Sequence, residues 1–254
     1  MPTDKETIDW YNDNADGYAG HVRDEDDSVF HSLYEKPAMY SLLPELKNKK
    51  VISIGCGSGE DCNQLQQRGA EVTGVDISKK LIEIARSSYP ECKFEVMDME
   101  NLKFVDSSFD FAFSSLAIHY LEDWTQALKE AHRILKPGGE YLFSCGHPVY
   151  SAAEAVKDNE EVSEHQIARS KNKVTNKVTV TGNYVDRRKL YFNGWVFWHK
   201  SIGEISSEIA KAGFVIESIH EPRPLPKMKQ VSPNDYEILT KIPNFILFKL
   251  KKPN

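Results

Sequence analysis

The chain has little from which to build a disulfide or metal framework. Its 254 residues include four cysteines, Cys56, Cys62, Cys92 and Cys145, with no C-x-x-C pair and no His/Cys/Asp cluster at metal-ligand spacing. This excludes a small disulfide-stapled fold and a structural zinc site, and the cysteines read as reduced thiols. Long apolar runs are also missing. None approaches the ~20 residues needed to span a bilayer, and Met1-Pro2-Thr3-Asp4-Lys5-Glu6 lacks the apolar core of a signal peptide. A soluble cytoplasmic protein with no membrane partner is the expectation. Positive charge is not in excess: Lys and Arg number 32 against 38 Asp and Glu, a net charge of −6. Such a balance gives no general attraction for phosphate backbones, so a nucleic-acid partner is disfavoured. No internal repeat is visible, and the length suits one large domain or a domain with a cap.

What is present is an alternation of strands and helices between about residues 49 and 148. Lys50–Ile54 carries Val51, Ile52 and Ile54 around Ser53, a mostly apolar run of the kind found in a strand buried on both faces. Asp61–Arg68 reads as a helix closed by Gly69. Val72–Val75 is a second strand. Ser78 caps a helix whose Leu81, Ile82 and Ala85 repeat at helical spacing. Strands follow at Lys93–Met97 and Phe109–Phe113. Asp123 and Gln126 suggest a capping box for the helix that carries Ala127, Leu128, Ala131, Ile134 and Leu135. Lys136-Pro137-Gly138-Gly139 should stop it, and Glu140–Cys145 is the fifth strand. The pattern predicts an α/β protein with a doubly wound, mostly parallel sheet.

The flanks read differently. Residues 1–48 form a polar, aromatic cap, helical in pieces, with a solvated acidic run at Asp24-Glu25-Asp26-Asp27. Residues 149–199 break the rhythm and read as an inserted cap: Glu160–Lys173 is helix or loop, Lys173–Val180 alternates like a hairpin strand, and Leu190–Trp198 is rich in aromatics. Residues 200–254 return to the core. Ser201 and Glu204 cap a helix ended by Gly213, Phe214–Ile219 and Phe245–Leu250 are strands, and the prolines between 221 and 233 indicate a loop.

The chemistry lies in Gly55-Cys56-Gly57-Ser58-Gly59, directly after the first strand, and in Asp76 at the end of the second, 17 residues beyond Gly59. A glycine turn at a helix N-terminus exposes N–H groups, and an acid at the neighbouring strand end accepts ribose hydroxyls. A dinucleotide and S-adenosylmethionine both fit this logic. The dinucleotide fingerprint needs a further glycine for close helix packing, and that position is Glu60 here. A nicotinamide enzyme is therefore disfavoured.

Val51–Gly59, Asp76, Phe94-Glu95-Val96-Met97-Asp98-Met99-Glu100, Phe109-Asp110-Phe111-Ala112-Phe113 and Ala131–Gly139 occur in an order and spacing that resemble class I S-adenosylmethionine-dependent methyltransferases of the type 11-like small-molecule family. The resemblance implies a Rossmann-like sheet in the seven-stranded methyltransferase order, with an antiparallel last strand. It implies S-adenosyl-L-methionine as donor and S-adenosyl-L-homocysteine as product. It also implies roles for single residues. Gly55, Cys56, Gly57 and Gly59 would surround the methionyl part. Asp76 would hold the ribose, with Ile77 packing on the adenine. Asp98, with Met99 beside it, would face the adenine amino group. Ser114 or Ser115 would lie beside the methionyl moiety, and Tyr11 and Tyr18 would belong to an N-terminal helix that closes over the donor.

Methyl transfer from an activated donor needs an in-line nucleophile in a water-poor site, and a base only when the nucleophile starts protonated. Candidates sit where an open α/β sheet binds its ligands: His119 and His147 follow the fourth and fifth strands, and His199 immediately precedes the helix starting at Ser201. His119 is the first choice for a base or substrate contact, and His147 and His199 are further candidates. Metal assistance is not expected, because Ser114-Ser115-Leu116-Ala117-Ile118-His119 has no acid. Trp10, Trp195 and Trp198 suit an apolar cavity around a small organic acceptor, taken on oxygen or nitrogen. An RNA or protein methyltransferase of the same fold is the alternative, although Arg187-Arg188-Lys189 is a small basic patch and no Asn/Asp-Pro-Pro-aromatic motif follows the fourth strand. A non-catalytic cofactor-binding or scaffold protein has no need for the glycine turn and both acids.

Overall fold

The computed structural model describes residues 5–24, 26–152, 168–171, 178–181, 184–192 and 195–254; of these, 168–171, 178–181, 192 and 195 are described by backbone alone. Helices α1 (Lys5–Asp13) and α2 (Ala15–Arg23), a π-helical turn (His31–Glu35) and α3 (Lys36–Ser41) precede the sheet. Then come β1 (Lys50–Ile54), α4 (Glu60–Gln67), β2 (Glu71–Asp76), α5 (Lys79–Ser88), β3 (Lys93–Val96) and β4 (Phe109–Ser114). A 3₁₀ turn (Ile118–Tyr120), α6 (Thr125–Ile134), β5 (Leu135–Gly146) and α7 (Pro148–Ala152) follow. Two antiparallel pairs, β6 (Ala168–Lys171) with β7 (Val178–Thr181) and β8 (Arg188–Phe192) with β9 (Trp195–His199), occupy the inserted region. The chain ends with α8 (Ile202–Lys211), β10 (Val215–His220), α9 (Met228–Val231), α10 (Pro233–Leu239) and β11 (Phe245–Lys251).

The seven-stranded sheet runs β3-β2-β1-β4-β5-β11-β10. The first five strands pair in parallel, and β11 lies antiparallel between β5 and β10. The chain winds outward from β1 to β3, then returns to place β4 on the other side of β1. That reversal parts the loops above β1 and β4, and an open α/β sheet binds ligands in the resulting crevice. Both faces are covered, so the central strands are buried throughout. Ile52, Ala112 and Phe143 point to one side with Leu128, Ala131, Ile205 and Ile209. Val51, Phe111, Phe113 and Leu142 point to the other with Met39, Leu65 and Ile82. Each large side chain so buried contributes ~1.5–3 kcal/mol.

Local chemistry sets most element ends. Ser78 Oγ accepts Leu81 N–H and Ser201 Oγ accepts Glu204 N–H, as N-caps do. Glu204 does not reach back to complete a box; its carboxylate accepts from Arg187 Nε at 2.8 Å. Three expectations change. The α6 capping box is absent: the helix starts at Thr125, Asp123 Oδ1 accepts Thr125 N–H (2.8 Å), and Gln126 turns toward the Glu100 carbonyl. The Lys136–Gly139 run does not separate helix from strand, because α6 already ends at Ile134 and β5 begins at Leu135. There the register against β4 shifts, while Gly138 N–H and Gly139 C=O bond to Lys252, so the glycines form a bulge inside a longer strand. Residues 221–233 are not all loop: α9 forms, and Pro233 opens α10, where its missing N–H costs nothing.

In the insertion, Val178–Val180 belong to β7, while the rest of the Lys173–Val180 expectation and most of Glu160–Lys173 fall outside the described residues. Among the described residues no helix is long and apolar enough to cross a membrane.

Gly74 marks the tightest point of β2. A Cβ there would lie 2.8–2.9 Å from Cys62 Sγ, Phe94 Cδ1 and Cys56 Sγ. Gly74→Ala should therefore destabilise the fold by about 1–3 kcal/mol in urea denaturation; an unchanged midpoint would contradict this packing.

Candidate active site

β1 runs into the glycine turn. Gly55 and Gly59 have φ of 69° and 93°, a region open mainly to glycine. At Gly55 a Cβ would come 2.3 Å from the Ala117 Cβ, so only glycine lets the segment after β4 close onto the turn. Gly55 and Cys56 N–H both bond to the Val75 carbonyl. Asp76, at the end of β2, accepts Gly57 N–H at 2.9 Å and Ser78 N–H at 2.8 Å. Burial raises its pKa, and these backbone donors pull the other way.

Above this lies a cleft of about 650 Å³, partly open to solvent. It gathers Tyr11, Tyr18, Gly55, Gly57, Asp76, Ile77, Met99 and Ser115. A smaller adjoining chamber adds Cys56 and shares Tyr18, Gly55, Gly57, Ser115 and Leu116 with the first. Three of the expected residues are not on either wall. Gly59 faces away and packs against Phe94, Tyr89 and Ala85. Asp98 turns its carboxylate to Glu100 N–H at 2.9 Å. Ser114 is buried within the sheet. Leu81, Met97 and Tyr120, which the sequence reading did not assign to the donor, line the cleft.

The N-terminal helices form a roof held by polar ties. The Tyr11 and Tyr120 hydroxyls share a 2.5 Å hydrogen bond, and Tyr18 packs edge-on to Tyr11. Burial raises the pKa of all three phenols. Asn12 Oδ1 accepts from Ser78 Oγ and Lys80 N–H. Arg23 donates to Glu60 at 2.8 Å and to Ser88 at 2.9 Å. Glu60, the residue that disfavours a dinucleotide, therefore anchors α2 and also accepts from Ser58 Oγ. From the insertion, Val196 N–H reaches Thr7 Oγ1 at 3.4 Å, and Phe197 packs edge-on to His119. Trp10 packs on Tyr11. The Trp195 side chain lies outside the described residues.

The chamber floor holds a charged group absent from the sequence reading. Lys36 Nζ bonds to Asp61 Oδ2 and, at 2.8 Å, to Ser115 Oγ. Tyr40 donates to Asp61 Oδ1 at 2.6 Å. Glu35 accepts from Ser144 and Ser115. The one sequence signal was an acid–base dipeptide, Glu35-Lys36, set among Leu33, Tyr34 and Met39.

None of the three histidines lines either cavity. His147 caps α7: its Nδ1 accepts Val149 N–H, and its Nε2 meets Glu221 at 3.1 Å. His199 bonds to Ser151 Oγ at 2.7 Å and to the Tyr184 carbonyl at 3.0 Å. Both have a second partner on each side of the ring, which fixes a tautomer and suits a packing role. His119 stands in the 3₁₀ turn against Tyr120 and Phe197, and burial lowers its pKa to about 4. At neutral pH it is an uncharged, weak base. In an NMR titration its ring signals should stay constant from pH 8 to about 5.5; a midpoint near the usual histidine value would contradict this environment.

Comparison with known proteins agrees with this architecture. Residues 52–143 match the profile of a family described as "Methyltransferase domain". A Haemophilus influenzae protein is 29% identical over 232 residues, covering 87% of this chain and 88% of its own. Malonyl-[acyl-carrier protein] O-methyltransferase of Pseudescherichia vulneris is 33% identical over 117 residues, spanning 45% of this chain and 47% of that enzyme. The solved structure of an S-adenosylmethionine-dependent methyltransferase from Mesorhizobium loti superposes with a TM-score of 0.73 at 28% identity, over 89% of this chain and 99% of that one. The glycine turn, the strand order and these matches together make the chain a class I S-adenosylmethionine-dependent methyltransferase.

Proposed function

We propose that this methyltransferase acts on a small organic acceptor, at oxygen or nitrogen, without a metal ion. The observation that carries the reading is the convergence of Asp76, the glycine turn and the Tyr11–Tyr120 pair on one roofed cleft. S-adenosylmethionine suits the cleft in chemistry. Asp76 has two backbone donors and keeps acceptor positions for ribose hydroxyls, since a carboxylate offers about four. Ile77, Leu81, Met97 and Met99 supply an apolar slot for adenine. The methionyl end would point past Gly55 and Gly57 toward the smaller chamber.

When bound, the donor supplies an electrophilic methyl on a positively charged sulfur. The chain's own part is to orient the reactants and exclude water, which can supply most of the rate. Residues 1–48 and 149–199 serve as the caps that do this, around the core at 49–148 and 200–254. A roof tied by Tyr11, Asn12 and Arg23 leaves room for a small molecule. The acidic balance of the chain disfavours RNA. Transfer to oxygen is in keeping with the malonyl-[acyl-carrier protein] O-methyltransferase, which shares the central region. An acceptor already ionised at neutral pH needs no base, in keeping with the poor basicity of His119.

S-adenosylmethionine and S-adenosylhomocysteine at about 1 mM, well above a typical KM, should raise the melting temperature, and NAD should not. The absence of a shift with either methyl-cycle ligand would refute the donor assignment. Asp76→Ala should weaken donor binding by ~1.5–3 kcal/mol, the worth of a charge-assisted hydrogen bond. Wild-type affinity in a calorimetric titration of that variant would remove Asp76 from the ribose role. A labelled-methyl transfer screen over small-molecule pools, with fractionated tRNA as a comparison, tests the acceptor class.

A further inference from the structure

The π-helical turn concentrates titratable side chains. Its wider coil, in which Lys36 N–H bonds to the His31 carbonyl, brings residues five apart onto one face, where an α-helix would splay them. His31 and Lys36 consequently both line the smaller chamber. Glu35 lies directly behind that wall, bonded to Ser115, which lines the chamber, and to Ser144. Its side chain is 0% exposed. Oε1 accepts both serine hydroxyls, at 3.0 and 2.5 Å, while Oε2 has no hydrogen-bond partner and stands 3.9 Å from Lys36 Nζ. Lys36 is already committed to Asp61 and Ser115.

The charges do not balance. Two carboxylates, Glu35 and Asp61, face one ammonium, Lys36. His31 adds nothing, because burial and Lys36 lower its pKa to about 4, and its Nδ1 has no partner. Glu60, which also lines the chamber, is engaged with Arg23. Buried Glu35 thus either keeps a proton, as its raised pKa favours, or leaves one negative charge in excess. A positive charge entering the chamber resolves this, and removing that charge restores the problem.

We propose that Glu35, in its cluster with Lys36, Asp61 and His31, reads the charge on the donor's sulfur, favouring the sulfonium over the neutral thioether left after transfer. Glu35 gives up its proton as the sulfonium binds and regains it once the methyl has gone. This rests on the donor reading above and makes Glu35 a specificity residue that helps the spent product leave.

Calorimetric titration of the whole chain tests it, with S-adenosylmethionine and S-adenosylhomocysteine at pH 6.5 in two buffers of different ionisation enthalpy. At this pH the free α-amino group of both ligands is largely protonated. Binding of the sulfonium should release more protons than binding of the thioether. Glu35→Gln keeps an acceptor for both serines. It should abolish the difference and lower the ratio of donor to product affinity by about tenfold or more, the effect of an opposite charge nearby. Equal proton release for the two ligands in the wild-type protein overturns the proposal and needs no variant; an unchanged ratio in a folded Glu35→Gln protein also overturns it. If neither ligand binds the wild-type protein, the donor reading itself falls; if both bind with equal proton release, only the charge reading does.

Discussion

A buried carboxylate must find donors, and in this molecule the carboxylate of Asp76 organises the site by finding them in the backbone. Its two oxygens take the N–H groups of Gly57 and Ser78, one from the turn after β1 and one from the start of α5. The carboxyl ends of β1 and β2 are thereby locked in register above the point where the sheet reverses. Everything else in the cleft is placed against that frame. Gly55 admits Ala117, which brings the 3₁₀ turn and Tyr120 over the opening. Tyr120 meets Tyr11, and Asn12 ties α1 back to Ser78, the residue already held by Asp76. The roof and the floor thus share one anchor.

Those parts of the fold and site that rest on local chemistry were legible in the sequence. The glycine turn, the acid at the second strand end, and the serine caps at Ser78 and Ser201 each act within a few residues of themselves. Strand periodicity sufficed to give the doubly wound class. The misses share a cause. Gly138 and Gly139 look like a helix stop until Lys252, just after β11, is known to bond to them from more than a hundred residues away. Gln126 looks like half of a capping box until its side chain is found turned to the Glu100 carbonyl, 26 residues back.

The Glu35 cluster shows the same limit more sharply. Its partners Ser115 and Ser144 lie 80 and 109 residues further along the chain. No periodicity marks a π turn, because its sequence, His31-Ser32-Leu33-Tyr34-Glu35, would serve an ordinary helix. The extra residue in the turn is a tertiary outcome, fixed by what packs outside it. The histidines illustrate the converse. Their positions after strands look chemical, yet His147 and His199 spend both ring nitrogens on neighbouring groups.

The contacts outside the π turn also fix when the molecule is finished. Leu33 and Tyr34 pack against Met228 and Leu239, the Leu33 carbonyl accepts Leu225 N–H, and the Tyr34 hydroxyl accepts Asn244 N–H. The strand that follows, β11, slots into the interior of the sheet and not onto its edge. The π turn is therefore complete only when the segment from Leu225 to Asn244 is packed against it. A nascent chain holding the complete glycine turn and Asp76 still lacks the support that shapes the wall beside them. Loop closure over such separations is slow, so the wall that shapes the site is the part of it that local folding alone does not supply.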